Sequence, residues 1–485
     1  MSQESRPSLL KVRPYRHQDD AVNFALDCMG YAGPEAKSKS TAILAEMGTG
    51  KSLITIAIAG QLYTGRHIDR MLVVAPLSIV GVWKDEFAKF ADYPYTLEIL
   101  DGGTAEKTKT LRKLSPLITT RDTPLQVAIV NYESAWRMEA ELAAWQPDLI
   151  VCDESSKIKN PQAKQSKALH RLGRRSKHNI ILTGTPVTNN PLDFYSQYKF
   201  LDEKVFGPSF YVFRAKYAIL GGYGNHQVIG YKHLDDLTAR AHRIAYRITK
   251  AEALDLPEQL DVFRTIRLEV DAAALYRRIE RESVAELEKG ELTATNILTK
   301  LLRLSQITGG FVKADESDDM ESISTAKLRE LEGIIDETVG EDKKLVIFVR
   351  FIPEINAISK LLKQKNIGYV VISGEVKNRA ELVDAFQNDK KVQVFVGQLQ
   401  TTGMGLTLTA ASTAVFYSLS YNFADYEQAR ARIHRIGQKN ACTYIHLVAE
   451  KTIDEKVMAA LKSKKNMAEL VVDNWRTLFN KEKPQ

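Results

Sequence analysis

Short, almost continuously apolar runs alternate with helix-like segments over residues 41–185. After a first strand-like run at Ser40–Leu44, the sequence predicts strands at Met71–Pro76, Val127–Asn131, Leu149–Cys152 and Asn179–Thr183. Unbroken hydrophobicity of this kind is typical of parallel strands that are buried on both faces of a sheet. The first third of the chain therefore predicts an α/β unit.

The pattern changes over residues 190–330, which we predict to be mostly helical, with long charged segments such as Asp271–Lys289. Alternation then returns, with strands predicted at Lys344–Val349, Tyr369–Ile372, Val392–Val396, Ala414–Tyr417 and Thr443–Val448. The fold class expected is α/β, with two doubly wound parallel-sheet lobes and a helical insertion between them. The predicted domains are lobe one at 1–250, an interlobe segment and insertion at 251–330, lobe two at 331–465, and a tail at 466–485.

Length and composition narrow the class of protein. A chain of 485 residues has room for about three domains. No apolar run approaches the ~18 residues that would span a bilayer, and the first residues lack the apolar core of a signal peptide. Cys28, Cys152 and Cys442 are far apart, which favours a reducing, intracellular compartment. The net charge of +7 mildly favours a polyanionic partner.

Residues 45–52 read Ala-Glu-Met-Gly-Thr-Gly-Lys-Ser and lie between a predicted strand and a predicted helix. A glycine-rich turn at a helix N-terminus directs backbone N–H groups into one concavity that suits a polyphosphate. Lys51 would then reach the β- and γ-phosphates, and the Ser52 hydroxyl would bind Mg²⁺. The strict pattern has Gly where this chain has Ala45. The alternative is an ordinary strand–turn–helix with a solvated lysine.

Two carboxylates, Asp153 and Glu154, directly follow the predicted strand Leu149–Cys152. A carboxylate at the end of a central strand downstream of a phosphate loop is able to hold the Mg²⁺ that bridges phosphates. The adjacent Glu154 is able to orient and deprotonate the attacking water. The alternative is a solvent-exposed acidic pair at a strand end, which is common.

Near the end of the second unit, Gln428–Gln438 contains Arg430, Arg432 and Arg435. Arg432 and Arg435 are three residues apart and are predicted to share one face of a helix. A guanidinium directed at a γ-phosphate stabilises the charge that develops there. A solvated basic helix and a structural salt bridge remain alternatives on spacing alone.

These segments, in this order, resemble the motifs of Swi/Snf-type ATPases of helicase superfamily two. The resemblance covers nearly the whole chain and rests on Arg13–Gln18, Ala45–Ser52, Ala75–Phe87, Asn131–Glu133, Asp153–Asn160, Leu182–Asn190, Tyr246–Lys250 with Leu256–Pro257, Leu301–Gln306, Val346–Val349, Gln400–Leu406 and Gln428–Gln438. The stretch His434–Gln438 is especially specific to this family.

The resemblance implies two RecA-like lobes that bind ATP with Mg²⁺. The residues that would bind the nucleotide are Gln18, Gly48, Thr49, Gly50, Lys51, Ser52, Gly403, Arg432 and Arg435. Ser52 and Asp153 would hold the metal, and Glu154 would activate water. Lys51, Asp153, Glu154, Arg432 and Arg435 form the implied catalytic set, in which the arginines complete the site only when the lobes close.

The resemblance also implies tracking along a nucleic-acid backbone, which needs donors to phosphate and no reading of bases. The candidate contacts are Ser78, Lys84, Lys159, Asn160, Arg350, Arg379, Thr401, Thr402 and Tyr421. Three departures stand out. Ser156 replaces the usual His, Tyr421 replaces a Trp, and Ser418 and Ser420 replace acidic residues.

The function expected is therefore that of an ATP-dependent double-stranded DNA translocase that remodels protein–DNA complexes or DNA forks and junctions. The alternatives are a strand-separating or annealing helicase, an ATP-switched nucleic-acid clamp without productive turnover, and an RNA-dependent motor. The expected partner is double-stranded DNA, either plain or forked or branched. We expect no interaction with a membrane. The chain lacks room for a chromatin-reading module, which favours a compact bacterial or viral enzyme over a eukaryotic chromatin remodeller. We further expect a monomer, located in the cytoplasm of a bacterial cell or of a virus-infected bacterial host.

Overall fold

The computed structural model describes residues 9–468 apart from 34, 115–122, 188–189, 223, 225–226, 289–293, 314–319, 341–342, 375, 377 and 403–405. Two compact units divide the chain, lobe one up to Leu254 and lobe two over Asp255–Lys465. Among the helices in these ranges, none combines the length and hydropathy needed to cross a membrane.

Lobe one is built on a seven-stranded sheet in which each pair of neighbouring strands is parallel. The strand order is β3-β4-β2-β5-β6-β1-β9. These strands are β1 (Ser40–Ala45), β2 (Arg70–Ala75), β3 (Tyr95–Ile99), β4 (Leu125–Asn131), β5 (Leu149–Asp153), β6 (His178–Leu182) and β9 (Ala245–Ile248). A separate antiparallel hairpin consists of β7 (Ala218–Gly221) and β8 (Gln227–Tyr231).

Helices connect these strands. They are α1 (Arg16–Cys28), α2 (Lys51–Thr64), α3 (Val80–Phe90), α4 (Thr104–Lys113), α5 (Tyr132–Arg137), α6 (Glu139–Trp145), α7 (Lys164–Arg175), α8 (Phe194–Leu201), α9 (Glu203–Phe206), α10 (Phe210–Tyr217), α11 (Leu234–His242) and α12 (Lys250–Ala253). Short 3₁₀ turns lie at Leu77–Ile79, Ser155–Ile158 and Pro191–Asp193.

The lobe one sheet is covered on both faces, which explains its unbroken apolar strands. Along β1, Ala42 and Leu44 belong to one hydrophobic cluster, whereas Ile43 and Ala45 belong to another. Successive side chains of a strand point to opposite faces, so the two clusters are the two layers of the core. A strand in this position is mostly apolar on both faces, and its buried polar residues, such as Ser40 and Thr41, donate hydrogen bonds to backbone carbonyls.

Lobe two has a six-stranded sheet, also parallel throughout, in the order β10-β17-β16-β13-β15-β14. Its strands are β10 (Gln259–Ile266), β13 (Lys344–Val349), β14 (Gly368–Ile372), β15 (Val392–Gln398), β16 (Ala411–Phe416) and β17 (Cys442–Ala449). The hairpin of β11 (Phe311–Lys313) and β12 (Met320–Ser322) is antiparallel.

The helices of lobe two are α13 (Val270–Glu288), α14 (Ala294–Thr308), α15 (Ala326–Thr338), α16 (Ile352–Gln364), α17 (Arg379–Asn388), α18 (Leu399–Thr402), α19 (Phe423–Ile433) and α20 (Ile453–Ala468). A core cluster that includes Leu331, Ile347, Ile358 and Val394 joins the sheet to the helices packed on it.

The predicted α/β class with two parallel-sheet lobes is confirmed, and each predicted strand has a counterpart. Seven strands were not predicted, namely β3 and β7 to β12, and of these β3, β9 and β10 lie at the outer edge of a parallel sheet. The expectation that residues 190–330 are mostly helical is wrong in part, because this range also contains β7 to β12. Edge strands have one unpaired side and mixed burial, so they lack the unbroken apolar signal of a central strand.

Candidate active site and nucleic-acid surface

The loop between β1 and α2 has the conformation of a phosphate-binding turn. Gly48 and Gly50 have φ angles of +88° and +91°, which favour glycine over any other residue. A Cβ atom on Gly50 would also collide with the side-chain amide of Gln18. α2 then begins at Lys51, so the backbone N–H groups of its first turn face the loop.

Gln18 and the neighbouring residues of α1 hold this loop from the side. The Gln18 side chain is buried, its Nε2 donates to the Thr49 carbonyl at 3.1 Å, and its Oε1 accepts from the Tyr15 N–H at 2.9 Å. His17 Nε2 lies 2.9 Å from the same Thr49 carbonyl. Gln18 therefore lies against the phosphate loop, a position that is consistent with its predicted role in nucleotide binding.

Lys51 lies at the start of α2 with its ammonium group turned back over the loop. Its Nζ donates to the Ala45 carbonyl at 3.0 Å and lies 3.5 Å from that of Glu46. Thr49 is buried and its hydroxyl donates to the Glu46 carbonyl at 2.7 Å, which tightens the turn. Ser52 is half-buried on the next position of α2. A charged phosphate is a stronger acceptor than a chain carbonyl, so an anion bound in the loop would compete for the Lys51 ammonium group.

Asp153 ends β5 and is almost fully buried. Its Oδ2 accepts from Trp83 Nε1 at 2.9 Å and its Oδ1 accepts from the Glu154 N–H at 2.9 Å. Burial, and secondly the charge of Glu154, raise the pKa of the Asp153 carboxyl to about 6, while the nearby Lys51 ammonium opposes this shift. Lys51 and Asp153 therefore share one site, as predicted from two distant segments of the sequence.

Glu154 has a left-handed backbone conformation, with φ of +51°, which is uncommon for a residue other than glycine. Strain of this kind persists where the surrounding structure determines it and is frequent at functional sites. Here the turn separates the two carboxylates. Asp153 stays in the sheet, and Glu154 is half-buried at its carboxyl edge.

The segment Leu182–Val187, at the carboxyl end of β6, contacts the phosphate loop directly and the turn after Asp153 through Gln197. Gly184 lies against the phosphate loop, since a Cβ atom there would meet the Ala45 carbonyl oxygen and Glu46 Cα at 3.4 Å. Gln197 of α8 donates to the Pro186 carbonyl at 2.7 Å and accepts from the Ser155 hydroxyl at 2.7 Å. Ser156, which replaces the usual His, is half-buried beside this network.

A second polar network that fixes the phosphate loop was missed in the sequence. Arg247 of β9 donates to the Leu44 carbonyl at 3.0 Å and pairs with Glu46 at 3.3 Å, and the Lys250 N–H donates to Glu46 at 3.0 Å. The sequence does contain an indication of this network, namely the charged Arg247 within the otherwise apolar residues of β9. Its partner is about 200 residues away, and sequence reasoning did not pair them.

The candidate nucleic-acid contacts of lobe one follow the carboxyl ends of β2 and β5. Lys84 is exposed on α3, Lys159 is half-buried, and Asn160 is exposed with its Oδ1 accepting from the Gln162 N–H at 2.9 Å. The side chain of Ser78 lies outside the described residues. Parallel strands bring these loops to the same edge of the sheet as the phosphate loop.

The arginines of lobe two divide into different environments. Arg430 is buried, forms an ion pair with Asp261 of β10, and lies 4.0 Å from the centre of the Tyr444 ring. A structural salt bridge, one of the alternatives left open by the sequence, is thus what Arg430 makes.

The prediction that Arg432 and Arg435 share a helical face is wrong. α19 ends at Ile433 and His434 has a non-helical backbone, so Arg435 lies in the turn beyond the helix. Arg432 is buried in the last turn of α19. Arg435 is half-buried and donates to the Thr407 hydroxyl at 3.0 Å.

The other polar residues of this segment hold its backbone. His434 is buried between the Pro257 carbonyl at 2.8 Å and the Gln259 amide at 3.0 Å. Gln438 is buried, and its Nε2 donates to the Ala411 carbonyl at 2.8 Å while its Oε1 accepts from the N–H of Lys439. These contacts within lobe two explain why His and Gln are needed in the family-specific stretch His434–Gln438.

The candidate contacts of lobe two lie in loops after its strands. Arg350 follows β13 and Tyr421 follows β16, and the pKa of Arg350 is lowered by burial, with Tyr421 close enough to oppose that shift. The Arg379 guanidinium donates to the carbonyls of Ser373 and Val376. The side chains of Thr401 and Thr402, and all of Gly403, lie outside the described residues.

Glu354 of α16 was not predicted, and it organises the loop that carries Arg350. The buried Glu354 carboxylate accepts from the N–H groups of Arg350 and Phe351 at 3.0 Å each and from the Ser418 hydroxyl at 2.6 Å. Ser418 in turn accepts from the Arg350 N–H at 2.8 Å. An acidic residue at 418 would face this carboxylate, which gives the departure at Ser418 a physical reason.

Comparison with known proteins identifies the family. Residues 17–309 match the SNF2-related domain, and residues 326–437 match the helicase conserved C-terminal domain. The chain belongs to the SNF2-related family. It is accordingly an ATPase of helicase superfamily two with RecA-like lobes.

Individual relatives are distant. The chain is 26% identical to a DNA repair and recombination protein RAD54-like of Drosophila yakuba, over 96% of this chain and 63% of that protein. It is 25% identical to an uncharacterized ATP-dependent helicase of Mycoplasma genitalium, over 87% of this chain and 39% of that protein. The Sulfolobus solfataricus SWI2/SNF2 ATPase core, solved in complex with dsDNA, is 25% identical with a TM-score of 0.45, and the match covers 98% of this chain and 95% of that one.

In this member of the SNF2-related family, the residues of lobe one fit a nucleotide with its metal. The left-handed glycines leave the turn open to phosphate oxygens, and Lys51 supplies a cation beside them. Asp153 is a buried carboxylate whose negative charge lacks solvent, and a bound cation would stabilise it. Nucleotide use is a property of the family, and the site's own geometry is suited to it.

Proposed function

We propose that this protein is an ATP-dependent double-stranded DNA translocase that remodels protein–DNA complexes or DNA forks and junctions. The observation that carries the nucleotide half of the proposal is the meeting of Lys51, Asp153 and Glu154 at one edge of the lobe one sheet. The relatives named for DNA repair and recombination support the DNA half.

The roles of the residues follow from their chemistry. Gln18, Gly48, Thr49 and Gly50 shape the nucleotide loop, and Lys51 neutralises the phosphates. Ser52 and Asp153 would hold Mg²⁺, which supplies positive charge against the β- and γ-phosphate oxygens.

Glu154 orients the attacking water and accepts its proton, since its carboxylate lies in the turn next to Asp153 at the same edge of the sheet. Arg432 and Arg435 supply the positive charge that the γ-phosphate requires as it leaves, with Gly403 in the same lobe two set. Because lobe two would supply this charge, we propose that hydrolysis requires the lobes to close.

Donors at strand ends are proposed to grip the DNA backbone. In lobe one these are Ser78, Lys84, Lys159 and Asn160, and in lobe two Arg350, Arg379, Thr401, Thr402 and Tyr421. Contacts of this kind position a protein on a duplex without reading its sequence. A motor that moves along DNA needs this indifference to sequence at each step.

The test is steady-state ATP hydrolysis without nucleic acid and with single-stranded DNA, duplex DNA, a four-way junction or duplex RNA. We expect strong stimulation by plain duplex that disappears in Glu154→Gln and persists in Glu141→Gln, a matched change on α6 of the same lobe. Stimulation chiefly by RNA would overturn the DNA assignment. Equal and negligible turnover on all substrates would favour an ATP-switched clamp.

Translocation is measured separately by displacement of a third strand from a triplex on duplex DNA. The proposed translocase displaces the third strand in an ATP-dependent manner without separating the underlying duplex. Release of single strands from plain duplex would instead favour the strand-separating helicase.

A further inference from the structure

An apolar surface in lobe one has no place in the functions assigned so far. Among the described residues, fourteen large hydrophobic side chains are exposed, and five of them lie between Tyr211 and Ile229. They are Tyr211 and Val212 on α10, and Ile219, Val228 and Ile229 on the β7–β8 hairpin. Exposed apolar patches of this kind mark interaction sites in soluble proteins.

The hairpin presents these residues through a specific irregularity. Ile219 pairs with Gly230 and Leu220 pairs with Val228, so Ile229 is an extra residue in β8, a β-bulge. Ile229 is 66% exposed. Its side chain lies across Gly221, where a Cβ atom would come within 2.7 Å of Ile229 Cδ1. Bulges redirect side chains and are frequent beside functional sites.

The opposite side of the hairpin is anchored in the core. Leu220 and Tyr231 pack against the lobe one cluster that contains Phe213 and Tyr217. Ile219 and Ile229 therefore project from a supported element. A two-stranded hairpin without such support is only marginally stable.

Charge indicates what this surface contacts. From Lys204 to His233 the sequence contains Lys204, Arg214, Lys216 and Lys232 and no carboxylate. Lys216 pairs with Asp236, and Glu203 just before the segment pairs with Arg174. Carboxylates flank this segment at 202–203 and 235–236, but the ammonium groups of the exposed Lys204 and Lys232 have no carboxylate partner among the described residues, and Lys232 directly follows β8. An apolar face beside these cations fits a polyanion that also offers flat apolar surfaces. Nucleic acid has both, as phosphates and base faces.

The hairpin lies near the edge of lobe one that carries the candidate DNA contacts. Ser155, five residues before Asn160, donates to Gln197 of α8, and Gln197 donates to the Asp193 carbonyl at the start of that helix. Burial, and secondly the nearby Asp193 carboxylate, raise the pKa of Tyr231 in β8. Hydrogen bonds thus connect the loop after β5 with the start of α8, and the Asp193 carboxylate there is close enough to Tyr231 to affect its pKa.

We propose that the β7–β8 hairpin contacts exposed bases at a DNA branch point, with Ile219 and Ile229 packed against the unstacked base. This inference rests on the proposed function and specifies the form of DNA that it acts on. Apolar wedges that enter a base step need no hydrogen-bonding groups, so this contact is independent of sequence.

The first test places 2-aminopurine, a base whose fluorescence rises when it unstacks, at the branch point of a forked DNA. We expect the wild type to raise this signal and Ile219→Ser/Ile229→Ser to lower the rise at least about threefold. Hydrolysis stimulated by plain duplex should stay within about twofold of wild type, because no phosphate contact is lost. Val270→Ser, an exposed apolar change in lobe two, is the matched control.

An undiminished signal in the double variant would overturn this inference and leave the proposed function intact. Absence of duplex-stimulated hydrolysis in the wild type would instead contradict the proposed function itself. The two failures are therefore distinguishable in one set of measurements. Thermal unfolding of the variant verifies that lobe one is folded, which is expected since both isoleucines are exposed.

A second test uses the buried state of Cys28, Cys152 and Cys442, which permits selective labelling of a new surface thiol. Ile229→Cys carrying an environment-sensitive fluorophore should respond to forked DNA more strongly than to blunt duplex, and Val270→Cys should respond equally to both. A label at 229 that no DNA affects would overturn the proposal and point to a protein partner for this surface.

Discussion

The phosphate loop of lobe one (residues 45–52) and the arginine segment of lobe two (Gln428–Gln438) both contain predicted catalytic residues, yet different contacts fix their conformations. The turn at residues 45–52 is encoded locally, by two left-handed glycines and a helix that begins at Lys51, although Gln18 and Arg247 then hold it from distant parts of the chain. The arginine segment takes its shape from partners far along the chain, such as Asp261 for Arg430 and Pro257 for His434. The comparison teaches that a local turn reveals its chemistry in the sequence, whereas the roles of three similar arginines depend on tertiary contacts.

Of the substitutions that test this difference between the two segments, Arg435→Ala is expected to have the largest effect, on the rate of ATP hydrolysis. Arg435→Ala should lower the rate of DNA-stimulated ATP hydrolysis by about a thousandfold, because an arginine on the γ-phosphate contributes on this scale. Steady-state hydrolysis and thermal unfolding are measured together. Arg267→Ala, which removes an exposed lobe two arginine, should change neither. A variant of Arg435 that hydrolyses normally would assign the residue to structure alone.

A smaller effect, on stability, is expected at Arg430. Arg430→Ala removes a buried guanidinium that pairs with the partly exposed Asp261 and packs on the Tyr444 ring, and it should lower the free energy of unfolding of lobe two by about 2 kcal/mol. Denaturant unfolding followed by circular dichroism measures this loss. The double variant Arg430→Ala/Asp261→Ala should lose less than the sum of the single changes, because the two residues share one interaction. Additive losses would show that the pair is not coupled.

The Asp153 carboxyl gives a pH signature to the lobe one site. Its pKa is raised to about 6 in the folded protein, above the value of about 3.9 expected when unfolded. The native state thus binds a proton at Asp153 first as pH falls, and this carboxyl alone should contribute about 2 kcal/mol of stability between about pH 7 and pH 4.5. This contribution to the free energy of unfolding is fully present below the pKa of Asp153 in the unfolded chain, and it is absent above about pH 7.

Asp153→Asn removes the titrating group and is the reference for this measurement. The difference in free energy of unfolding between wild type and variant should change by the stated amount across that window, whatever its value at pH 7. Tryptophan fluorescence is a suitable probe because Trp83, Trp136 and Trp145 lie in lobe one. Parallel pH curves for the two proteins would contradict the raised pKa.

What the sequence predicted and what it missed follow the same division between local and long-range structure. Central strands such as β4 and β13 were predicted because burial on both faces leaves an unbroken apolar run, whereas the edge strand β10 mixes polar and apolar residues and is largely exposed. Lys51 and Asp153 were predicted as one site because a carboxylate at the end of a central strand downstream of a phosphate loop is able to hold the Mg²⁺ that bridges phosphates. Their supports, Trp83 and Arg247, are contacts across the sheet that no spacing reveals.

The smallest effect concerns the two serines that replace acidic residues after β16. Ser418 donates to the buried Glu354 carboxylate at 2.6 Å and accepts from the Arg350 N–H, whereas Ser420 only accepts from the Asn422 N–H at 3.3 Å. Ser418→Ala should therefore lower the free energy of unfolding by about 1 kcal/mol, the scale of one buried hydrogen bond. Ser420→Ala should have a smaller effect, measured in the same denaturant series. Equal losses would contradict the view that Glu354 supplies the negative charge of this loop and that Ser418 is the residue able to lie against it.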